Sequence, residues 1–584
     1  MPIKTLEPNL LQRVEAWLKG PFDEATKREI QRLMESDPQG LSDAFFKDLS
    51  FGTGGMRGLM GVGPNRMNVY TIRAATQGLA NYLNKQPKPE EGRHTVFIGY
   101  DVRHHSKEFA SEAARVLAAN EIRVLLTSDI CPTPLVSYGC RHYGCSAAIM
   151  ITASHNPPAY NGYKVYWGDG GQVVPPHDIG IIEEVRQVAT HAPISLAPAD
   201  SPLIETIEQE IDEDYLTELV KLQLHPEIAS DELNLLYTPL HGTGIRIIPQ
   251  ALASWGYHHL HLIEEQKDPD PNFSNAPSPN PEEQKALEIG MAILRKTNAD
   301  LLIATDPDAD RMGLVALDKG HPFRFTGNQI ACLSLFHICN TLATRGILPS
   351  NAAFIKTIVT TELFRAIAES FGGLCIDVLT GFKYIGEQIT LWEKSFDANQ
   401  FIYGAEESYG YLFGTMVRDK DAINAACLIA EAAMLAKKQG LTLVDRLYQL
   451  YEKFGIYREA VANLAFAESA AGLANMQELM KQLRQNPPAS IGGQLIVAFE
   501  DYQTGLSRDL QHHTEKRLSL PSSDVLCFWF ADWSKLVIRP SGTEPKIKIY
   551  AEVIEKHADP IEHAIHRADG KLQHLLTSFQ GLLK

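Results

Sequence analysis

Three carboxylates stand at alternate positions in Asp306-Pro307-Asp308-Ala309-Asp310-Arg311. Like charges this close repel one another and need a cation between them. An all-oxygen set suits Mg²⁺, which keeps coordination positions for water and phosphate. The loop is no EF-hand, because the glycine and distal glutamate of that motif are missing. An exposed acidic turn is the alternative. A second candidate is Thr152-Ala153-Ser154-His155-Asn156-Pro157. It offers a hydroxyl on a turn with an imidazole beside it, and Lys164 follows ten residues on as a proton carrier. A turn that merely caps a strand would look similar. A third is Arg539-Pro540-Ser541-Gly542-Thr543-Glu544-Pro545. Arg539 can grip a phosphate bidentately, and Gly542 lets successive N–H groups turn inward beside the hydroxyls of Ser541 and Thr543. Here the alternative is a plain Ser-Gly turn between strands.

Weaker signals surround these three. Glu406-Glu407-Ser408 could hydrogen-bond sugar diols, although adjacent glutamates are often a solvated turn. The Gly-rich stretch from Phe51 to Gly58 does not have dinucleotide-fingerprint spacing, so Arg57 reads as a phosphate or Ser154 contact on a loop. Lys383, after Thr380-Gly381-Phe382, is a further candidate, and His241 is as readily structural as functional.

The elements that must position these groups follow from periodicity. Residues 1–50 read as charged amphipathic helix. From Thr95 short apolar strands (95–99, 124–126, 147–151) alternate with helix, which implies a largely parallel, covered sheet. An Ala/Pro/Ser-rich linker spans 187–205. A second block has strands near 233–237, 259–263 and 300–305, and a third near 353–357, 374–379 and 401–404. After Tyr457 the pattern becomes α+β, with strands near 494–499, 525–531, 535–539 and 547–552 and a closing helix. The expected domains are 1–205, 206–326, 327–456 and 457–584. In each of the first three blocks a strand ends in one of the polar loops, where open α/β sheets bind ligands.

Bulk properties exclude some classes. The 584 residues carry a net charge of −17. That argues against non-specific binding to nucleic acid or anionic membrane and asks for local basic residues at any phosphate site. Eight cysteines form no CxxC pair, so free buried thiols in a reducing compartment are expected. Met1–Glu7 has no apolar leader core, and Ala422–Ala436 is too short to span a bilayer, which points to the cytoplasm.

Taken together, Thr152–Pro157 with Asn161–Lys164, Asp306–Arg311, Gly404–Gly410 and Arg539–Pro545 resemble the motifs of the α-D-phosphohexomutases, in the family's order and over essentially the whole chain. Phe51–Gly58 and the run Glu406–Tyr411 continuing through Val417–Ala422 look like the long phosphoglucomutase and phosphopentomutase branch. Many members carry Gly-His after the sugar-loop serine, whereas this chain has Tyr409-Gly410. The resemblance implies an α/β fold of four domains around a central cleft: three related mixed-sheet α/β domains plus a C-terminal α+β domain. It implies a phosphorylated Ser154, and Mg²⁺ held by Asp306, Asp308, Asp310 and the Ser154 phosphate. Arg57 and Arg311 would lie near the phosphoserine, with His155 and Lys164 as acid/base groups. Glu406 and Ser408 would bind the sugar hydroxyls, Arg539, Ser541, Gly542 and Thr543 the non-reacting phosphate, and Lys383 would help to bind substrate. The expected reaction interconverts glucose 1-phosphate and glucose 6-phosphate, primed by catalytic glucose 1,6-bisphosphate. Mannose or pentose phosphates are alternative substrates, and a metal-dependent sugar phosphatase is the rival class. Partners are then small sugar phosphates, with monomer and dimer both left open.

Overall fold

The computed structural model describes residues 8–52, 54–90, 92–188, 193–396, 398–467, 470–541, 546–557 and 560–583. The chain divides into two compact units, residues 1–330 with 382–435, and residues 331–381 with 436–584.

The first unit opens with helices Pro8–Lys19, Glu24–Ser36 and Pro38–Phe45. Asp23 and Asp37 cap the last two by accepting backbone N–H groups of their first turns. Their apolar faces close over Trp17, Phe22, Ile30 and Phe45.

The first sheet has six strands: β1 (Gly55–Leu59), β2 (Thr95–Tyr100), β3 (Arg123–Thr127), β4 (Ala147–Ile151), β5 (Tyr160–Trp167) and β6 (Ile204–Ile207). Their order is β1-β5-β4-β2-β3-β6. β4, β2, β3 and β6 run parallel, while β1 and β5 are antiparallel additions. The sheet is therefore mixed, and Arg57 lies on a strand rather than on a Gly-rich loop. Two glycines make the β1–β5 edge possible. A Cβ at Gly55, whose φ is +125°, would stand 1.9 Å from the Tyr163 carbonyl oxygen, and one at Gly162 would stand 2.4 Å from that of Thr152. The expected linker returns to this sheet through β6, which crosses the 205/206 boundary.

The second sheet comprises β7 (Leu235–Thr238), β8 (Leu260–Leu262), β9 (Leu301–Thr305), β10 (Met312–Asp318) and β11 (His321–Arg324) in the order β11-β10-β9-β7-β8. It repeats the plan of the first, with parallel strands followed by an antiparallel return after the strand that carries the polar loop: β5 after β4, β10 after β9. In the second unit β12 (Ala352–Thr357) and β13 (Leu374–Val378) pair in parallel. In the first unit β14 (Gln400–Glu406) and β15 (Gly410–Phe413) form a hairpin.

The C-terminal part of the second unit is an antiparallel sheet, as its sequence pattern suggests. Its strands are β16 (Ile456–Ala465), β17 (Ser490–Ile491), β18 (Gln494–Asp501), β19 (Leu506–Asp509), β20 (Thr514–Arg517), β21 (Leu526–Phe530), β22 (Lys535–Pro540) and β23 (Lys546–Glu555). The main path is β16-β23-β22-β21-β18-β19-β20, with β17 on β18. Helix Ile561–Leu582 packs on it through Leu572, Leu575 and Phe579. Among the described residues no helix is long and apolar enough to cross a membrane, and all eight cysteines are free and buried.

Candidate active site

Ser154 follows the carboxyl end of β4 and adopts φ = +52°, a left-handed conformation uncommon outside glycine. Its N–H donates to Thr152 Oγ1 (2.8 Å). Its hydroxyl donates to Asp306 Oδ2 (2.8 Å) and lies 3.2 Å from His155 Nδ1. Two loops 152 residues apart in sequence thus meet at one oxygen.

The acidic loop leaves β9 and returns into β10. Ala309 takes φ = +52° to make that turn, and Asp306 Oδ1 accepts the N–H groups of Asp310 (3.1 Å) and Arg311 (3.0 Å). Thr243 props the loop from beneath, donating N–H to the Pro307 carbonyl (2.8 Å). Nearby, His241 Nδ1 lies 2.8 Å from the Asp268 carbonyl. Asp308 Oδ2 accepts from Thr133 Oγ1 (2.8 Å) and Lys164 Nζ (2.7 Å). Asp310 Oδ2 lies 3.2 Å from Lys164 Nζ and 3.3 Å from Lys420 Nζ.

The three carboxylates are at most 1% exposed, and each has an oxygen within 4.8 Å of the others. Asp308 Oδ1 and Asp310 Oδ1 are buried with no hydrogen-bond partner among the described residues. Orphaned buried carboxylate oxygens are costly. Hard oxygen donors in this arrangement fit a divalent ion such as Mg²⁺.

Burial and neighbouring charges set the protonation of the cluster. Burial, followed by repulsion from Asp308 and Asp310, pushes the Asp306 carboxyl well above the usual range. Burial opposes ionisation of Asp308 too, but Lys164 outweighs it and holds that carboxyl low. Burial disfavours the Lys164 ammonium, yet Asp308 and Asp310 more than compensate, so Lys164 is held protonated. His155 goes the other way: burial first, then Arg311 and Arg57, drive its pKa well below the usual value, leaving a neutral imidazole next to Ser154.

Arg57, on β1, donates to Asn156 Oδ1 (2.8 Å) within the serine loop. Arg311 donates to Glu282 (2.8 Å). The Glu406 loop joins the same cluster, because Arg311 bridges Gly410 and the Met312 N–H donates to the Tyr409 carbonyl (3.1 Å). Glu406 is 5% exposed and Ser408 half-buried. Tyr409 stands at φ = +64°. Left-handed non-glycine residues thus occur in all three loops, and such strain concentrates at functional sites.

Lys383 is not drawn to this cluster. It lies 3.8 Å from Asp178 and over the Tyr384 ring. Arg539 lies near the end of β22, half-buried and opposite Lys548, and the Ser541 N–H donates to the Lys546 carbonyl (2.8 Å). Gly542 and Thr543 lie outside the described residues.

Three contributors went unnoticed in the sequence. Thr133 starts a helix and binds Asp308. Lys420 pairs with Asp310 and Asp419, within a run whose alternating charges gave the signal. Arg103 lies in the loop after β2, the neighbour of β4 in the sheet, an adjacency that only the fold supplies.

Comparison with known proteins agrees with this picture. Residues 48–192, 213–319 and 326–454 match α/β/α domains I, II and III of phosphoglucomutase/phosphomannomutase. The phosphoglucomutase of Staphylococcus haemolyticus is 36% identical over 527 residues, covering 89% of this chain and 93% of its own. That of Staphylococcus aureus is 36% identical over 543 residues, covering 92% and 95%. In fold, the open form of parafusin, a Paramecium phosphoglucomutase, superposes with a TM-score of 0.65 at 19% identity, covering 89% of this chain and 95% of that one. The protein is thus a phosphosugar mutase, and the chain belongs to the α-D-phosphohexomutase family, in its long phosphoglucomutase branch.

Proposed function

We propose that this enzyme interconverts glucose 1-phosphate and glucose 6-phosphate through phosphorylated Ser154 and a glucose 1,6-bisphosphate intermediate. One observation carries the reading: the Ser154 hydroxyl is seated 2.8 Å from Asp306 in a buried triad with orphaned oxygens. The similarity to phosphoglucomutases favours glucose phosphates over mannose or pentose phosphates.

In the proposed cycle the P–O bond to Ser154 breaks as a new P–O bond forms to the free sugar hydroxyl. The neutral His155 Nδ1, 3.2 Å from Ser154 Oγ, takes the hydroxyl proton and hands it to the leaving serine oxygen. Lys164, Arg57 and Arg311 surround the transferring group with positive charge. Asp306, Asp308 and Asp310 would hold Mg²⁺, which when bound offsets negative charge on the phosphoryl oxygens. Glu406 and Ser408 would orient the sugar, and Arg539, Ser541, Gly542 and Thr543 would bind the phosphate not being transferred. Lys383, paired with Asp178, would reach substrate only after leaving that partner. The bisphosphate then turns over, Ser154 Oγ attacks its other phosphorus as the P–O bond to the sugar breaks, and the serine proton passes through His155 to the departing sugar oxygen. We read the chain as four domains, 1–205, 206–326, 327–456 and 457–584, working in the cytoplasm on small sugar phosphates.

A coupled assay comparing glucose, mannose, glucosamine and ribose 1-phosphates, with Mg²⁺ and trace glucose 1,6-bisphosphate, tests this. Glucose 1-phosphate should give the highest kcat/KM with little phosphate release. Ser154→Ala should abolish turnover while keeping fold and sugar-phosphate binding. Wild-type turnover in that variant, or dominant phosphate release, would refute the reading.

A further inference from the structure

We infer that Arg103 is the positioning residue for the Ser154 loop, a guanidinium clamp that fixes the serine hydroxyl for phosphoryl transfer. The inference rests on the reading of Ser154 as phosphoryl carrier. Arg103 Nη2 donates to the carbonyls of Ser154 (2.5 Å) and Asn156 (2.5 Å), and Nη1 to those of Pro157 (2.8 Å) and Tyr160 (3.0 Å). One side chain therefore holds four carbonyls of a seven-residue stretch. The planar fork of arginine presents donors in this fixed pattern; a lysine ammonium, a compact point charge, cannot span it.

The clamp is itself fixed on every side. Its side chain is fully buried, with Nε 3.2 Å from Asp101 Oδ2. Asp101 Oδ1 in turn accepts the Arg103 N–H (2.9 Å) and the Ser106 hydroxyl (2.7 Å). The guanidinium carbon lies 4.9 Å from the centre of the Phe273 ring, in the loop that follows β8. Asn161, at the start of β5, donates to the His104 carbonyl and to Ser106 Oγ, both at 3.0 Å. The loops after β2 and β4 are thus tied together at one sheet edge.

The clamp matters because of the conformation it holds. Ser154 at φ = +52° is a strained geometry that persists only when its surroundings over-determine it. Gripping the Ser154 carbonyl fixes the peptide plane behind the hydroxyl. Released, the serine relaxes towards ordinary φ, and its Oγ moves off the line to Asp306 and His155. Arg103 touches no reacting atom, so its effect must appear in turnover rather than in substrate affinity. A displacement of about 1 Å at a reacting group costs ~100-fold in rate.

The test uses the full chain with Arg103→Lys and Arg103→Met, and Phe273→Leu as a milder change that keeps the guanidinium. Hydrogen–deuterium exchange is followed in peptides covering residues 152–162, alongside kcat and KM for glucose 1-phosphate. Expected are exchange at least about tenfold faster in that segment with β2 and β9 peptides unchanged, and kcat ~100-fold lower with KM within ~3-fold. The lysine variant should fail nearly as badly as methionine, and Phe273→Leu should loosen the same segment to a lesser degree. Unchanged exchange there, kcat within threefold of wild type, or a loss of kcat that merely follows the fraction folded would overturn the proposal. Should the Arg103 variants not fold, Phe273→Leu with unaltered exchange would overturn it as well. Exchange does not depend on turnover, so an inactive wild type would count against the mutase reading alone.

Discussion

Replacing Asp308 by asparagine isolates the charge that the acidic loop contributes to a cation. The change is nearly isosteric and keeps an oxygen for Thr133, whose hydroxyl donates to Asp308 Oδ2 at 2.8 Å. It removes one of three carboxylates while Lys164 retains Asp310 at 3.2 Å and Lys420 retains it at 3.3 Å. The triad oxygens lie within 4.8 Å of one another, so an ion bound there is no more than about 4 Å from the lost charge. At that distance one unit-charge interaction is on the order of 4 kcal/mol in a medium of effective dielectric about 20. The amide oxygen still coordinates, so even half of that figure, ~2 kcal/mol, weakens metal binding about 30-fold. The fold itself should tolerate the change, because losing one of three crowded negative charges offsets the loss of the Lys164 partner. Mn²⁺ titration followed by paramagnetic resonance, with melting curves at zero and saturating metal, measures both effects. The expected result is affinity reduced about 30-fold, a smaller metal-induced rise in Tm, and a metal-free Tm close to wild type. Affinity within threefold of wild type would refute the assignment of the triad as a cation site. So would a collapse of the metal-free Tm, which would make Asp308 a structural counter-ion to Lys164.

Two further predictions concern charges away from the serine. Asp421 is buried, caps the helix Ala422–Lys438 by accepting the Ile423 and Asn424 N–H groups, and accepts from the Tyr215 hydroxyl at 2.7 Å. Burial pushes its carboxyl up to about 6. The protonated form is thus favoured on folding: its contribution is fully present below pH ~4 and lost as pH rises through ~6, about 3 kcal/mol in all. Urea unfolding from pH 4 to 8 should show wild type losing that much stability relative to Asp421→Asn, and parallel curves would contradict it. In the second unit, Glu362 Oε1 accepts from Lys356 (2.8 Å) and Lys535 (2.6 Å), whose side chains are 0% and 3% exposed. Glu362→Gln leaves Lys356 with Asp377 (2.9 Å) and takes from Lys535 its carboxylate at 2.6 Å, leaving it the carbonyls of Ile358 and Thr360 and the Glu552 charge across the sheet. Breaking such a buried pair costs roughly 3–5 kcal/mol. Calorimetry should show the transition of the second unit moving to lower temperature, and a shift worth under ~1 kcal/mol would mean the network is solvated.

Much of the chemistry was written locally. Asp306, Asp308 and Asp310 belong to one loop, as do Ser154 and His155, because a strand end and its turn are specified by neighbours in sequence. The parallel strands were legible for the same reason: β2, β4 and β9 are continuous apolar runs buried on both faces. The returning strands were not. β1 and β5 carry glycines that let neighbouring backbone approach, and Arg57 and Lys164, which serve the charged cluster; both hide the strand signal. The same held for the partners of the site. Whether Lys164 is a base or a counter-ion depends on Asp308, 144 residues away, and Arg103 gains meaning only from carbonyls about fifty residues downstream. Lys383 shows the converse, a plausible local motif that the fold pairs with Asp178. Sequence thus determined which loops carry reactive groups, since bonding geometry and residue type act over a few residues. Tertiary structure decided which loops meet and which groups keep their protons. Burial and distances between charges exist only once the sheets have formed.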